Sequence, residues 1–196
     1  MRTCLLAPAL CVVAFSQSQP KPEEPVYKFY STVFGTTVLK AGGLTGLVYT
    51  LEPGTPHLPS FDRMRPISKV YTTTLNIQPQ DFTLGFPGVP ERFEWFAIDY
   101  TGNIWISQAG KYRFTLESDD GSALFIDGRL VINNDGIHPV ILKKGSNHLK
   151  AGKHSIRVAY FQGPRQHLAL ILQIAGPGES LQVFDTNRFA PPGAGQ

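Results

Sequence analysis

Between Gly110 and Ile132 the chain reads GKYRFTLESDDGSALFIDGRLVI, and its apolar positions fall with a period of two. Tyr112, Phe114 and Leu116 alternate with Lys111, Arg113, Thr115 and Glu117, which predicts a strand with one buried face. Ser118-Asp119-Asp120-Gly121-Ser122 interrupts the alternation with residues that favour tight turns. Ala123 to Ile126 forms a second run, closed by Asp127-Gly128, a pair typical of two-residue hairpin loops, and Arg129 to Ile132 forms a third. Three short strands and two tight turns predict a β-meander. Its most polar corner holds two adjacent carboxylates.

The same periodicity recurs on both sides. Val26 to Phe34, Gly43 to Tyr49 and Ile67 to Ile77 read as strands, the last rich in β-branched residues. Phe93 to Ser107 predicts two strands around a turn at Thr101-Gly102-Asn103. Val140 to Leu142 is a short strand, and Ser155 to Phe161 places Ile156, Val158 and Tyr160 on one face. After the loop Gln162 to Gln166, Leu168, Leu170, Leu172 and Ile174 make the most apolar strand face in the chain. Ser180 to Ala190 offers an edge strand. Seven prolines between Glu52 and Arg92 exclude regular structure from most of that segment outside Ile67 to Ile77. Many short strands with closely spaced turns predict an all-β fold, an antiparallel β-sandwich or barrel with an irregular Pro-rich insertion.

Composition narrows the function classes. The 196 residues suit one domain, and 19 Gly with 16 Pro fit a turn-rich β architecture. The net charge of +3 comes from scattered Lys and Arg with no basic stripe, which argues against a nucleic-acid partner. Met1 to Ser16 reads as a secretory signal peptide, with Arg2 before an apolar run, Leu5 to Phe15, that is short for a bilayer span. Cleavage before Gln17 would remove Cys4 and Cys11, leaving no cysteine for a disulfide or thiolate site. Nothing later resembles a membrane span, so an exported protein at the cell surface, outside the cell or in the periplasm is expected.

Candidate chemistry is sparse. No HExxH, GxSxG or phosphate-cradling glycine loop occurs, and the five histidines match no zinc spacing. A glycosidase needs two carboxylates flanking the scissile bond at a set separation, which neighbours in one turn do not provide. No enzyme is expected. Asp119 and Asp120 have two readings: turn formers bonding backbone N–H groups, or paired ligands for a hard cation. Trp95 and Trp105 are candidates for the core or for a flat sugar platform.

The ordered set SDDGS, IDG and LKAGKHSIRVAYF resembles the PA14 domain family, β-sandwiches found in fungal flocculins and adhesins, some glycosidases and secreted bacterial proteins. The resemblance runs from about Gly43 to Ala175, strongest over Gly110 to Gly128 and weakest between Glu52 and Arg92. It implies a non-catalytic binding module. In the fungal adhesins two consecutive aspartates joined by a cis peptide bind Ca²⁺, which coordinates sugar hydroxyls directly, and Asp119 and Asp120 match that pair. Those adhesins complete the site with an asparagine from a later loop, whereas Gln162-Gly163-Pro164-Arg165-Gln166 contains no Asn or Asp.

The expected organisation is a signal peptide (1–16), a linker with an N-terminal strand (17–42), a PA14-like sandwich (43–176) and a C-terminal extension (177–196). The expected function is carbohydrate binding, with Asp119 and Asp120 on Ca²⁺, Asn134 and Gln162 hydrogen-bonding the glycan and Trp105 stacking on it. The alternative is a structural module that contacts another cell-surface protein through the Pro-rich segment and the extra segments at both ends, with pairing of exposed strand edges as its mechanism.

Overall fold

A computed structural model describes residues 30–33, 43–89 and 94–193. The signal peptide, most of the linker and the ends of the first predicted strand lie outside them.

Twelve strands form two sheets packed face to face as a β-sandwich, and the described residues contain no α-helix. In chain order they are β1 (Tyr30–Val33), β2 (Leu44–Thr50), β3 (Ser68–Thr72), β4 (Asn76–Asp81), β5 (Phe96–Ile106) and β6 (Gly110–Asp119). There follow β7 (Ser122–Ile126), β8 (Arg129–Asn134), β9 (Ile141–Leu149), β10 (Gly152–Gln162), β11 (His167–Ala175) and β12 (Gln182–Val183). The larger sheet has the order β1-β3-β2-β5-β10-β7-β8, and the smaller β12-β11-β6-β9, with β4 also pairing to β11. All pairings are antiparallel except β1 with β3.

The period-2 residues fill the space between the sheets. Phe96, Ile98, Tyr100, Ile104 and Ile106 from β5 meet Ile156, Val158 and Tyr160 from β10 within the larger sheet. Opposite lie Tyr112, Phe114 and Leu116 of β6 and Leu168, Leu170, Leu172 and Ile174 of β11. Phe184 is fully buried in the same core, so the sandwich draws on residues beyond 176. β12 supplies the edge strand expected between Ser180 and Ala190.

Three local expectations change. Phe96 to Ile106 is one strand without a turn, paired to β10 over eleven consecutive positions. Gly102 is small for lack of space: a Cβ there would lie 2.7 Å from Leu44 Cδ2. Ile67 to Ile77 is two strands in different sheets. The chain crosses at Thr73–Leu75, where Thr74 N–H donates to Thr72 Oγ1 at 3.2 Å and the Thr72 hydroxyl donates to Thr74 O at 2.7 Å. β4 continues through Pro79, which its position beside a single neighbour allows. Finally, β9 spans nine residues rather than three. It is an edge strand, so most of its length carries no apolar period, and Gly145 lets Val131 O of β8 come within 2.5 Å of where a Cβ would stand.

The Pro-rich segment has a definite place. A second apolar cluster, on the outer face of the larger sheet, joins Tyr49, Leu51, Ala97, Ala159 and Phe161 to Phe61 of that segment. Leu58, Met64 and Trp95 pack around it. The part of the insertion before β3 is a third layer over the sandwich. Among the described residues no helix is long and apolar enough to cross a membrane.

At the far end of β7, Asp127 (φ 50°) and Gly128 (φ 74°) take the paired positive-φ form of a type I′ hairpin. Asp127 Oδ2 contacts His154 Nδ1 at 2.6 Å, Ser155 N–H donates to Asp127 Oδ1 at 2.9 Å, and His154 Nε2 lies 2.8 Å from Lys150 O. Burial works against charge on both partners, but their mutual contact outweighs it: the His154 pKa is raised and that of Asp127 lowered.

Two predictions follow from this packing. Gly102→Ala should destabilise the fold by about 1–3 kcal/mol through overpacking, and in a double-mutant cycle Leu44→Ala should cost less in that background than in the parent. Additive costs would mean that Leu44 is not the obstruction. The hairpin clamp should be strongest between about pH 4 and 6.5. The His154 part is fully present below the ordinary histidine value and lost as pH rises through the folded pKa. The Asp127 part is fully present above the ordinary aspartate value and lost as pH falls through the folded pKa. Thermal melts of His154→Gln against the parent should differ most in that window; a difference independent of pH would assign the ring to packing alone.

Candidate functional site

The β6–β7 turn, the 135–139 loop after β8 and the 162–166 loop after β10 meet at one corner of the sandwich. β6 ends at Asp119 and β7 begins at Ser122, so only Asp120 and Gly121 form the turn. Gly121 is required: a Cβ would lie 2.3 Å from Phe161 Cε1 and 2.8 Å from Gly136 N. The Asp119–Asp120 peptide is cis.

The two carboxylates are nearly buried and differ in their partners. Asp120 Oδ1 accepts from His138 N–H at 3.1 Å, and Asp120 Oδ2 accepts from Gly163 N–H at 2.7 Å, with Gln162 Nε2 at 3.4 Å. One side chain thus ties the turn to both loops. Asp119 is bonded through its backbone carbonyl, which lies 2.8 Å from Tyr160 Oη, while its carboxylate has no hydrogen-bond donor among the described residues. Burial and then the neighbouring Asp120 charge push the Asp119 pKa up to about 6, against smaller opposing effects of His167 and His138. Burial also raises that of Asp120, with the Gly163 and His138 N–H groups opposing it.

The predicted ligand-contacting residues are dispersed. Gln162 is fully buried: Oε1 lies 2.6 Å from Tyr160 Oη, whose single proton serves either this oxygen or Asp119 O, and Nε2 donates to His167 O at 3.0 Å. Its amide holds the loop and leaves nothing for a glycan. Asn134 is also buried, donating through Nδ2 to Ser118 Oγ at 2.9 Å and Ile141 O at 3.0 Å. Its Oδ1 is buried without a partner, an unusual condition for a polar atom. Trp105 pairs with Lys153, whereas Gln162 pairs with Phe96 at the other end of β5. Nine residues of strand, roughly 30 Å, separate Trp105 from the corner. It takes no part there.

Residues that periodicity did not single out complete the corner. His138 supplies a backbone N–H to Asp120, and its ring is fixed by Asn134 O at 2.9 Å and Pro139 O at 2.8 Å. Asp135 Oδ1 accepts from Leu58 N–H and Gly136 N–H, and Oδ2 lies 3.3 Å from His57 Nδ1, so the Pro-rich layer holds the 135–139 loop from behind. Ile137 is exposed beside Gly163 and gives the rim an apolar surface. On the far side Arg165 turns to Glu94 at 2.9 Å. The signal for His138 and Asp135 was their place in a turn two strands from the aspartates, legible only once β8 and β10 are known to flank β7.

The donor set suits a hard cation in part. Asp119 offers two oxygens without competing protons, and Asp120 is held in place by N–H donors, as ligating carboxylates commonly are. Among the described residues no group of three or more His, Cys, Asp or Glu side chains converges. A Ca²⁺ shell of about 6–8 oxygens would therefore draw most of its members from carbonyls, water or ligand hydroxyls.

A family model for the PA14 domain matches residues 63–185, well over half of the chain. The chain belongs to the PA14 domain family. Its fold is similar to a solved "PA14 sugar-binding domain from RTX adhesin", with TM-score 0.62 at 18% identity over 75% of this chain and 97% of that one. It is similar also to the PA14 domain of the MpAFP antifreeze protein (TM-score 0.63, 18% identity, covering 78% and 92%). The Epithelial Adhesin 9 A domain from Candida glabrata, solved with Galβ1-3GlcNAc, shares the fold at TM-score 0.53 and 12% identity, covering 75% and 87%. No curated protein matches the sequence. At such identities the likeness establishes the PA14 fold.

The unequal surroundings of the two aspartates predict opposite effects. Asp119 has a raised folded pKa, so its contribution to stability is full below the ordinary aspartate value and is lost as pH rises to about 6. In chelator, Asp119→Asn should melt higher than the parent at pH 7–8 by about 1 kcal/mol after allowance for solvent screening, and equally at pH 4. Asp120→Asn should melt lower at neutral pH by about 1.5–3 kcal/mol, because it turns an N–H donor toward Gly163 or His138. Equal losses in both variants would mean that Asp119 also acts as an acceptor for the fold.

Proposed function

We propose that this PA14 domain is an exported, non-catalytic glycan-binding module whose ligand is held at the Asp119–Asp120 corner with Ca²⁺. The observation that carries the reading is the Asp119 carboxylate: nearly buried, beside a second carboxylate, and without a donor among the described residues. Two adjacent anions withdrawn from water favour a divalent cation, which would offset both the burial and, after it, the Asp120 charge that raise the Asp119 pKa. When bound, the ion would offer open positions to vicinal sugar hydroxyls.

The chain's own residues have separable roles in this reading. Asp119 ligates through its free oxygens, and Asp120 ligates while anchoring both loops. Ile137 at the rim lies against the apolar face of a sugar ring. Asn134 acts from within, positioning Ser118 and the start of β9. Sugar binding by the adhesin neighbours supports the choice of ligand class.

Calorimetric titration of the chain with Ca²⁺ tests the metal, and a glycan array including Galβ1-3GlcNAc, run in Ca²⁺ and in chelator, tests the ligand. The expected result is saturable Ca²⁺ binding with a dissociation constant on the order of 10⁻⁴–10⁻³ M, as in extracellular modules. Folded Asp119→Ala should lose it, and glycan signals should vanish in chelator. Ca²⁺ binding without a glycan signal would make the ion structural. Absence of both would favour the protein-interaction module, with the Pro-rich layer and β8 or β9 edges as its contact surfaces.

A further inference from the structure

We propose that the outer face of the smaller sheet carries a second binding site, for an anionic saccharide unit bearing a carboxylate or a sulfate. A groove of about 390 Å³ lies between β6, β9 and the segment entering β12, lined chiefly by Lys111, Arg113, Thr115, Lys144, Ser146 and Leu181. That volume falls within the range of small-ligand sites, roughly 300–1,000 Å³.

Register explains how the cations converge. Outward-facing residues of β6 alternate as Lys111, Arg113 and Thr115, and their partners on β9 are His148, Ser146 and Lys144. Lys111 and Arg113 are thus two positions apart on one strand, and Lys144 is the diagonal neighbour of Arg113 at about 7 Å. All three are exposed, and none forms an ion pair among the described residues. Arg113 Nη2 donates to the Glu179 carbonyl, which fixes the guanidinium against the groove wall and leaves its other donors open.

The nearby acids neutralise the patch only in part. Glu117 is the other diagonal neighbour of Lys144 and offsets that one charge without an ion pair among the described residues, and the Glu179 carboxylate turns to Gly176 N–H at 3.2 Å and Arg188 at 3.5 Å. Lys144 lies on an edge strand, where lysine also guards against sheet extension. Lys111 and Arg113 lie on β6, paired on both sides, where no such protection is needed. Like charges gathered on one face destabilise it, and a bound anion removes that cost.

The surroundings favour a sugar over a nucleic acid. Three cations fall short of the 6–10 or so phosphate contacts that give a nucleic-acid binder its affinity. Ser146 and the Gly145 backbone can meet hydroxyls, while Leu181 supplies an apolar wall for the C–H face of a pyranose. Along β6 Arg113 is six residues, about 20 Å, from Asp119 and the near edge of the groove at Thr115 is four, about 13 Å, so the site is separate from the metal corner.

The test uses the full chain on immobilised polygalacturonate (carboxylate), dextran sulfate (sulfate) and dextran (neutral), in chelator and at low salt. One or both anionic matrices should retain the protein while dextran does not, and retention should fall as salt rises. The variant K111A/R113A/K144A should bind at least about tenfold more weakly while melting no lower than the parent. A control variant R129A/K150A/K153A removes three exposed cations elsewhere. No retention of the parent, retention on dextran as well, or an equal loss in the control would overturn the proposal.

Discussion

The corner depends on one carboxylate accepting hydrogen bonds from two loops at once. Asp120 receives His138 N–H on one oxygen and Gly163 N–H on the other, so segments 18 and 43 residues away are held to the same turn. The Gly163 donor would otherwise be a buried N–H without this partner, and charge-assisted bonds are stronger than neutral ones. Gly121 and Gly163 permit the approach. At Gly121 a side chain would strike Phe161, and at Gly163 it would stand 3.1 Å from Asp120 Oδ2.

The Pro-rich segment extends this constraint to the opposite side of the larger sheet. Phe61 buries itself on the outer cluster, and the same segment presents Leu58 N–H and His57 to Asp135. The 135–139 loop is therefore held from behind by a third layer and in front by Asp120. A loop fixed from two directions is suited to preorganised recognition, because little ordering entropy remains to be lost on binding. Above the same outer face Arg157 bonds Asp99 at 2.6 Å and lies over the rings of Phe61 and Phe125, which joins the layer to the sheet electrostatically as well as by burial.

The family pattern implies an asparagine from the later loop, and this chain solves the same local problem differently. Gln162 and Gly163 direct N–H groups at Asp120. An N–H donor satisfies an anion without metal. Asp119 has no such donor among the described residues, so two adjacent residues of the same type sit in unequal surroundings.

The fold was legible in the residues themselves. Alternation at Tyr112, Phe114 and Leu116 and at Leu168, Leu170 and Leu172 reports which side of each strand faces the core, because side chains on a strand alternate with period two. Asp127-Gly128 read as a hairpin because positive φ is a local backbone property. The adjacent carboxylates at the polar corner were legible on the same grounds. Gly102 was not, since a glycine that clears Leu44 and a glycine that turns the chain look alike until the neighbouring strand is in place. The burial of Gln162, the distance of Trp105 and the work of His138 and Asp135 also depend on which strands flank which. Strand order is set by contacts between residues tens of positions apart, and no local pattern records it. Composition and periodicity determined the all-β class and the acidic corner; tertiary packing alone decided which of its residues keep a free oxygen.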